Sequence, residues 1–154
     1  MIKKKLACVL LIDDDEPTNF ISKMLIEEAD CAEHIQVVQS GQDALNYLTN
    51  DEGFAGENKA FPKPDLIFLD INMPAMNGWE FLDKYNQLDQ AHKGDIIVVM
   101  LTTSLNPDDR LKAGEMPAIS GFEAKPLTFE KLKTMLEKYL PYASYSIACR
   151  KELS

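Results

Sequence analysis

Asp70 ends the apolar run Leu66-Ile67-Phe68-Leu69 and is followed at once by Ile71-Asn72-Met73-Pro74. A carboxylate that closes a buried strand is poorly solvated, and folding alone gives no reason to put one there. Upstream, the apolar run from Ala7 to Ile12 ends in Asp13-Asp14-Asp15. Downstream, Ile96 to Leu101 ends in Thr102-Thr103-Ser104, and Lys125-Pro126 follows later. If these runs are adjacent strands of one parallel sheet, acids, a hydroxyl and an ammonium meet at one edge. Such a set suits a divalent cation and a phosphoryl group.

The elements needed to position these residues alternate along the chain. Leu6 to Ile12 carries no charge, as expected of a strand buried on both faces. Pro17, preceded by Asp15 and Glu16, opens a helix in which Ile21, Met24 and Leu25 mark an apolar stripe. His34 to Val38 reads as a second strand. Ser40 then caps a helix with Asp43 three residues on, and Ala44, Leu45 and Leu48 supply its apolar face. Residues 51–64 show no periodicity and read as a long loop. After the third strand, Leu66 to Leu69, a turn through Pro74 and Gly78 leads into a helix carrying Trp79, Phe81, Leu82 and Tyr85. Ile96 to Leu101 is the fourth strand, with Asn106 and Pro107 starting the next helix. Ile119 to Ala124 is the fifth strand. Thr128 caps a last helix with Phe129, Leu132, Leu136 and Leu140 on one stripe, ending at Pro141. The stretch from Tyr142 to Ser154 has no clear assignment.

Strands alternating with helices imply an α/β architecture with parallel pairing and helices on both faces of the sheet. In doubly wound sheets, ligands bind beyond the carboxyl ends of the strands. The acids, the threonine and the lysine all fall on that edge.

Composition is consistent with this and excludes some alternatives. At 154 residues, with 45% hydrophobic and 27% charged, the chain fits one globular domain. Sixteen basic against 25 acidic residues give a net charge of -9, which argues against a nucleic-acid surface. Lys3-Lys4-Lys5 reads as a solvated entry to a buried strand. No apolar run approaches the roughly 20 residues of a membrane span, and no signal peptide opens the chain. Cys8, Cys31 and Cys149 share no metal spacing, and Cys8 reads as a small core residue. A reducing, cytoplasmic setting fits. His34 and His92 stand apart and do not read as ligands.

Several segments taken together resemble the receiver domain of two-component response regulators. They are Asp13-Asp14, the run Asp70-Ile71-Asn72-Met73-Pro74-Ala75-Met76-Asn77-Gly78, then Leu101-Thr102 and Phe122-Glu123-Ala124-Lys125-Pro126. The resemblance implies a flavodoxin-like, doubly wound five-stranded parallel sheet in the order 2-1-3-4-5. It implies a receiver domain over residues 1–141 and a C-terminal extension over 142–154, too short for an output domain. By the same resemblance Asp70 is the phosphoacceptor, and Asp13, Asp14, Asp70 and the Asn72 carbonyl hold Mg2+. Lys125 and Thr102 contact the phosphoryl group, and Thr102 and Phe122 form the switch. Phe122 stands where tyrosine is common in the family, and the 51–64 loop is longer than usual there. The implied partners are a sensor histidine kinase or phosphotransfer protein and a downstream protein. A homodimer could form through the face made by the helix after strand four, strand five and the last helix. Neither nucleic acid nor membrane is implied as a partner. The protein would catalyse only its own phosphorylation and dephosphorylation.

Three other readings use some of the same residues. A haloacid-dehalogenase-type phosphatase also has an aspartyl nucleophile, and Asp13-x-Asp15 is superficially similar to its acid pair. That pattern expects a threonine where Pro17 stands, and it leaves Asp70 without a role. A receiver-like module that works without phosphorylation usually lacks an acid, the lysine or the threonine, all present here. A flavin carrier of this fold needs a hydroxyl- and glycine-rich loop after strand one, where three acids stand instead.

Overall fold

The computed structural model describes residues 3–49, 62–89, 93 and 95–146. Most of the expected 51–64 loop, together with His92 and Cys149, lies outside the described residues. Ten elements alternate along the described chain. They are β1 (Leu6–Ile12), α1 (Glu16–Ala29), β2 (Ala32–Val38), α2 (Gly41–Thr49) and β3 (Leu66–Leu69), followed by α3 (Gly78–Tyr85), β4 (Ile97–Thr102), α4 (Pro107–Glu115), β5 (Gly121–Ala124) and α5 (Phe129–Tyr139). The five strands form one sheet in the order β2-β1-β3-β4-β5, with every neighbouring pair parallel. This is the flavodoxin-like order that the resemblance implied.

Because strand side chains alternate in direction, each uncharged run feeds two cores. Val9, Leu11, Phe68, Val99 and Leu101 pack with Leu25 and Ile26 of α1 and with Leu132 and Leu136 of α5. Cys8, Leu10, Ile12, Ile67, Leu69, Val98 and Met100 pack with Ala44 and Leu48 of α2 and with Phe81, Leu82 and Tyr85 of α3. The helices thus cover both faces, and the loops at the carboxyl ends of β1, β3, β4 and β5 share one rim. Among the described residues, no helix is long and apolar enough to cross a membrane.

Helix starts follow their capping chemistry. The side chains of Asp15, Asn106 and Thr128 accept backbone N–H groups at the starts of α1, α4 and α5. Ser40 Oγ accepts Asp43 N at 3.1 Å before α2. Asn77 and Glu80 form a reciprocal capping box at α3.

Four boundaries or faces differ from expectation. β2 begins at Ala32 rather than His34, because Leu6 draws Ala32 into the ladder. β4 runs from Ile97 to Thr102, so Thr102 is the last ladder residue, opposite Ala124. β5 begins at Gly121 rather than Ile119, whose N–H is engaged in a turn to the Met116 carbonyl at 3.0 Å. The buried stripe of α1 is Asn19, Ser22, Leu25, Ile26 and Ala29. Ile21 and Met24, expected to face inward, are 45% and 43% exposed. Two polar residues take the end of that stripe nearest the rim, where Asn19 Nδ2 donates to the Asp13 carbonyl at 2.8 Å.

Part of the unassigned tail is also placed. Ala143 bridges in parallel to Lys4, and Ser146 N donates to the Ala29 carbonyl at 2.7 Å. The Tyr145 ring meets Phe129 edge-on. These contacts bind the chain after α5 to the start of β1 and the end of α1.

Gly78 sets the path of the chain after Asp70. Its N–H donates to the Ile71 carbonyl at 2.7 Å. A Cβ there would lie 2.5 Å from the Asp70 carbonyl oxygen and 3.0 Å from Ile71 Cα. Both neighbours are backbone, so the clash cannot be relieved by a rotamer change. We expect Gly78→Ala to lower stability by about 1–3 kcal/mol, read as a drop in urea midpoint. An unchanged midpoint would show that this close approach does not constrain the fold.

Candidate functional site

Three acids converge at the rim. Asp13 and Asp70 are each 5% exposed, while Asp14 faces solvent. Each offers a carboxylate oxygen, and the three oxygens lie within 4.8 Å of one another. The Asp70 N–H donates to the Ile12 carbonyl at 3.0 Å, tying the end of β3 to the end of β1. Its Oδ1 accepts the Ile71 N–H at 2.9 Å. The Asp13 carboxylate accepts Asp15 N at 3.0 Å through Oδ1.

Lys125 reaches both buried acids. Its Nζ is 2.5 Å from Asp13 Oδ2 and 3.4 Å from Asp70 Oδ1. The backbone holds it in place from both sides. Lys125 N donates to the Thr102 carbonyl at 2.9 Å, and Lys131 Nζ donates to the carbonyls of Ala124 and Pro126 at 2.7 and 3.2 Å. The Lys125-Pro126 peptide is cis. Thr102 is 1% exposed, and its Oγ1 accepts the Ser104 N–H at 3.1 Å. A hydroxyl that accepts from behind keeps its own proton free to donate forward.

Asn72 lies exposed in the loop after Asp70, and Met73 is buried in the core. Ala75, in the same loop, has a left-handed backbone with φ 66°. That conformation costs a residue with a Cβ roughly 1 kcal/mol, a strain of the kind that collects at functional loops. Phe122 sits on β5, separated from the acids by β4, half-buried, with the Arg110 guanidinium 4.9 Å from its ring centroid.

Asp15, by contrast, belongs to the helix: its carboxylate accepts from Thr18 N and Thr18 Oγ1. The Asp13-x-Asp15 pair is therefore divided between the site and a cap, which removes the basis of the phosphatase reading. Sequence reasoning missed Asn19 and Ser22, both buried beside the acids. Their spacing with Leu25 and Ile26 on one helical stripe was the available signal.

Electrostatics match the geometry. Burial, and then the Asp13 charge, push the Asp70 carboxyl above the ordinary carboxylate range, with Lys125 and the Ile71 N–H offsetting part of this. Burial works against the charge of Lys125. The hydrogen bond and field of Asp13, and then of Asp70, outweigh it and hold the ammonium above its ordinary value. A carboxyl with a higher pKa folded than unfolded binds its proton more tightly in the fold. Its contribution is present at low pH and lost as pH rises from the unfolded value through the folded one. Asp70→Asn should therefore raise the denaturant midpoint at neutral pH with no change in m value, and the gain should shrink toward about pH 4. A variant less stable than the parent at neutral pH would contradict this assignment.

Comparison with known proteins agrees with the fold. Residues 9–137 match the sequence model of the response regulator receiver domain. A two component response regulator from Cytophaga hutchinsonii, solved by crystallography, is 37% identical. The match covers 89% of this chain and 98% of that one with a TM-score of 0.75. The Mn(2+)-bound form of response regulator Rcp1 is 25% identical, covering 86% of this chain and 90% of that one, with a TM-score of 0.65. Sporulation initiation phosphotransferase F from Bacillus subtilis (strain 168) is 28% identical over 138 residues, 88% of this chain and 95% of its own length. Other curated relatives are longer, and the chain spans 54% of one of them. A family match of that extent, on a sheet wound in the order 2-1-3-4-5, makes this chain a member of the response regulator receiver domain family of two-component systems.

Proposed function

We propose that this chain is a phosphoacceptor in a two-component phosphorelay, with Asp70 taking a phosphoryl group from a sensor histidine kinase or a phosphotransfer protein. The observation that carries this reading is the buried Asp70 carboxylate, oriented by the Ile71 N–H and by Lys125, beside two further acids. An Asp70 oxygen attacks the phosphorus of phosphohistidine; an O–P bond forms, the N–P bond breaks and the imidazole leaves, giving an acyl phosphate. Lys125 would follow the new charge from the carboxylate pair onto the phosphoryl oxygens, and the Thr102 hydroxyl would donate to one of them.

Asp13, Asp14, Asp70 and the Asn72 carbonyl would hold a divalent cation, for which we propose Mg2+. The fit rests on an all-oxygen donor set whose three carboxylates converge within 4.8 Å. When bound, the cation relieves repulsion among the acids and neutralises charge developing on the phosphoryl oxygens. The manganese-bound Rcp1 structure supports a divalent ion in a related protein. The proposed location is cytoplasmic, a reducing setting in which the free Cys8 and Cys31 stay reduced. Beyond its own phosphorylation and dephosphorylation we assign no catalysis.

Output would pass through the face formed by α4, β5 and α5. Leu111 of α4 and Leu105 in the loop before it are 67% and 95% exposed, suited to a downstream protein or a second copy of the chain. Inward movement of Thr102 would open space for Phe122, whose ring can be buried without a hydrogen bond.

With acetyl phosphate and magnesium, label should enter the parent and fall to background in Asp70→Asn, with circular dichroism unchanged. Labelling at the parent rate in that variant, or undiminished labelling in excess chelator, would overturn the assignment. The switch is checked separately by hydrogen exchange with bound beryllofluoride. Protection should change across residues 102–126 in the parent and stay constant in Thr102→Ala, which still accepts phosphate. Unaltered protection in the parent would leave Asp70 as acceptor but remove this route of output.

A further inference from the structure

Asp109 occupies the first turn of α4, where an acid ordinarily does no more than favour the helix dipole. Here both of its carboxylate oxygens are engaged by other elements. Oδ2 accepts the Ser104 hydroxyl at 2.5 Å, and Oδ1 accepts the Trp79 indole N–H of α3 at 3.3 Å. The Lys112 ammonium, 4.7 Å from the Trp79 ring centroid, closes the same α3–α4 contact. On the other side, the Ser104 backbone N–H donates to Thr102 Oγ1. A continuous hydrogen-bonded chain therefore runs from the buried Thr102 hydroxyl through Ser104 and Asp109 to Trp79.

We infer that Asp109 is a positioning residue that restrains Thr102 through Ser104 and transmits its displacement to Trp79. The inference rests on the reading above, in which Thr102 moves toward a phosphoryl group on Asp70. For Thr102 to move inward, Ser104 must follow it or release it. If Ser104 follows, its hydroxyl pulls on Asp109 and the indole bond is altered. The restraint stabilises the arrangement without phosphoryl, so by linkage it weakens the site's hold on a phosphoryl mimic. Cutting the chain should tighten that hold and silence Trp79.

The test uses magnesium and beryllofluoride, with fluorine NMR reporting the bound mimic and nitrogen-15 NMR following the Trp79 indole N–H. In the parent, binding should shift the indole resonance. In Asp109→Ala and in Ser104→Ala the mimic should bind about fivefold tighter, and binding should leave the indole resonance in place. Ser104→Ala keeps the Asp109–Trp79 bond and substitutes no residue of α4, losing besides only the Asn106 N–H contact to Ser104 Oγ at 3.2 Å, so it serves if Asp109→Ala fails to fold. Asp109→Asn should restore parent behaviour, since its carbonyl can accept from the indole while its amide donates to Ser104 Oγ. Bound fluorine signals with a stationary parent indole would overturn the inference. So would an alanine variant that keeps the parent's affinity and indole shift. Absence of bound fluorine signals in the parent would instead sink the phosphoacceptor reading, and this inference with it.

Discussion

The Lys125 ammonium between Asp13 and Asp70 is the interaction on which the rest of the site depends. Two carboxylates buried side by side repel strongly where water cannot screen them, and without a cation the pair would have to take up a proton. One cation reaching both, at 2.5 and 3.4 Å, lets them stay buried as a pair. Such an arrangement is weak as a source of stability but severe when its cation is removed, since losing Lys125 would leave two buried carboxylates uncompensated at a cost of roughly 3–5 kcal/mol. It is also chemically poised. The surplus of acid over base that makes the cluster costly to fold is what gives it affinity for a cation and a reason to bind one.

The sheet exists in a form that makes this cluster possible. Parallel pairing sends every strand's carboxyl end to one rim, and the order β2-β1-β3-β4-β5 sets β1, β3 and β4 side by side. Asp70 is anchored to Ile12 by a ladder bond, and Lys125 to Thr102 by another. The reactive groups are thus held by backbone on rigid strands, while their other contacts lie in loops. Gly78 allows the Asp70 loop to turn back closely on itself, and Ala75 carries that loop's positive φ.

The same placement connects chemistry to surface. Thr102 is both the last residue of β4 and the first link of a side-chain chain leading to α3 and α4. Phe122 lies on the neighbouring strand beneath Arg110. A charge gained at Asp70 can act on these groups only through differences in contact between two arrangements. In the proposed switch, the hydrogen bonds around Thr102 would supply such a difference.

Much of this was legible from sequence because it depends on local chemistry. Uncharged runs read as buried strands, Asn106-Pro107 and Thr128 as helix starts, and the motif around Asp70 as a receiver. The acids, Thr102 and Lys125 could be assigned to one rim because parallel βα alternation leaves few other places for strand ends. Other features needed the tertiary structure. The inward face of α1 was misread, since Ile21 and Met24 satisfy helical spacing as well as Asn19 and Ser22 do. The tertiary structure decides between them, with the Asp13 carbonyl at the rim giving the buried Asn19 amide its partner. Likewise Asp109 reads in sequence as a first-turn acid. Its links to Ser104 and Trp79 arise because packing of α3 against α4 brings together residues thirty apart in the chain. Periodicity and capping are properties of neighbours along the chain, whereas the partner of a side chain across two elements is set by how those elements pack.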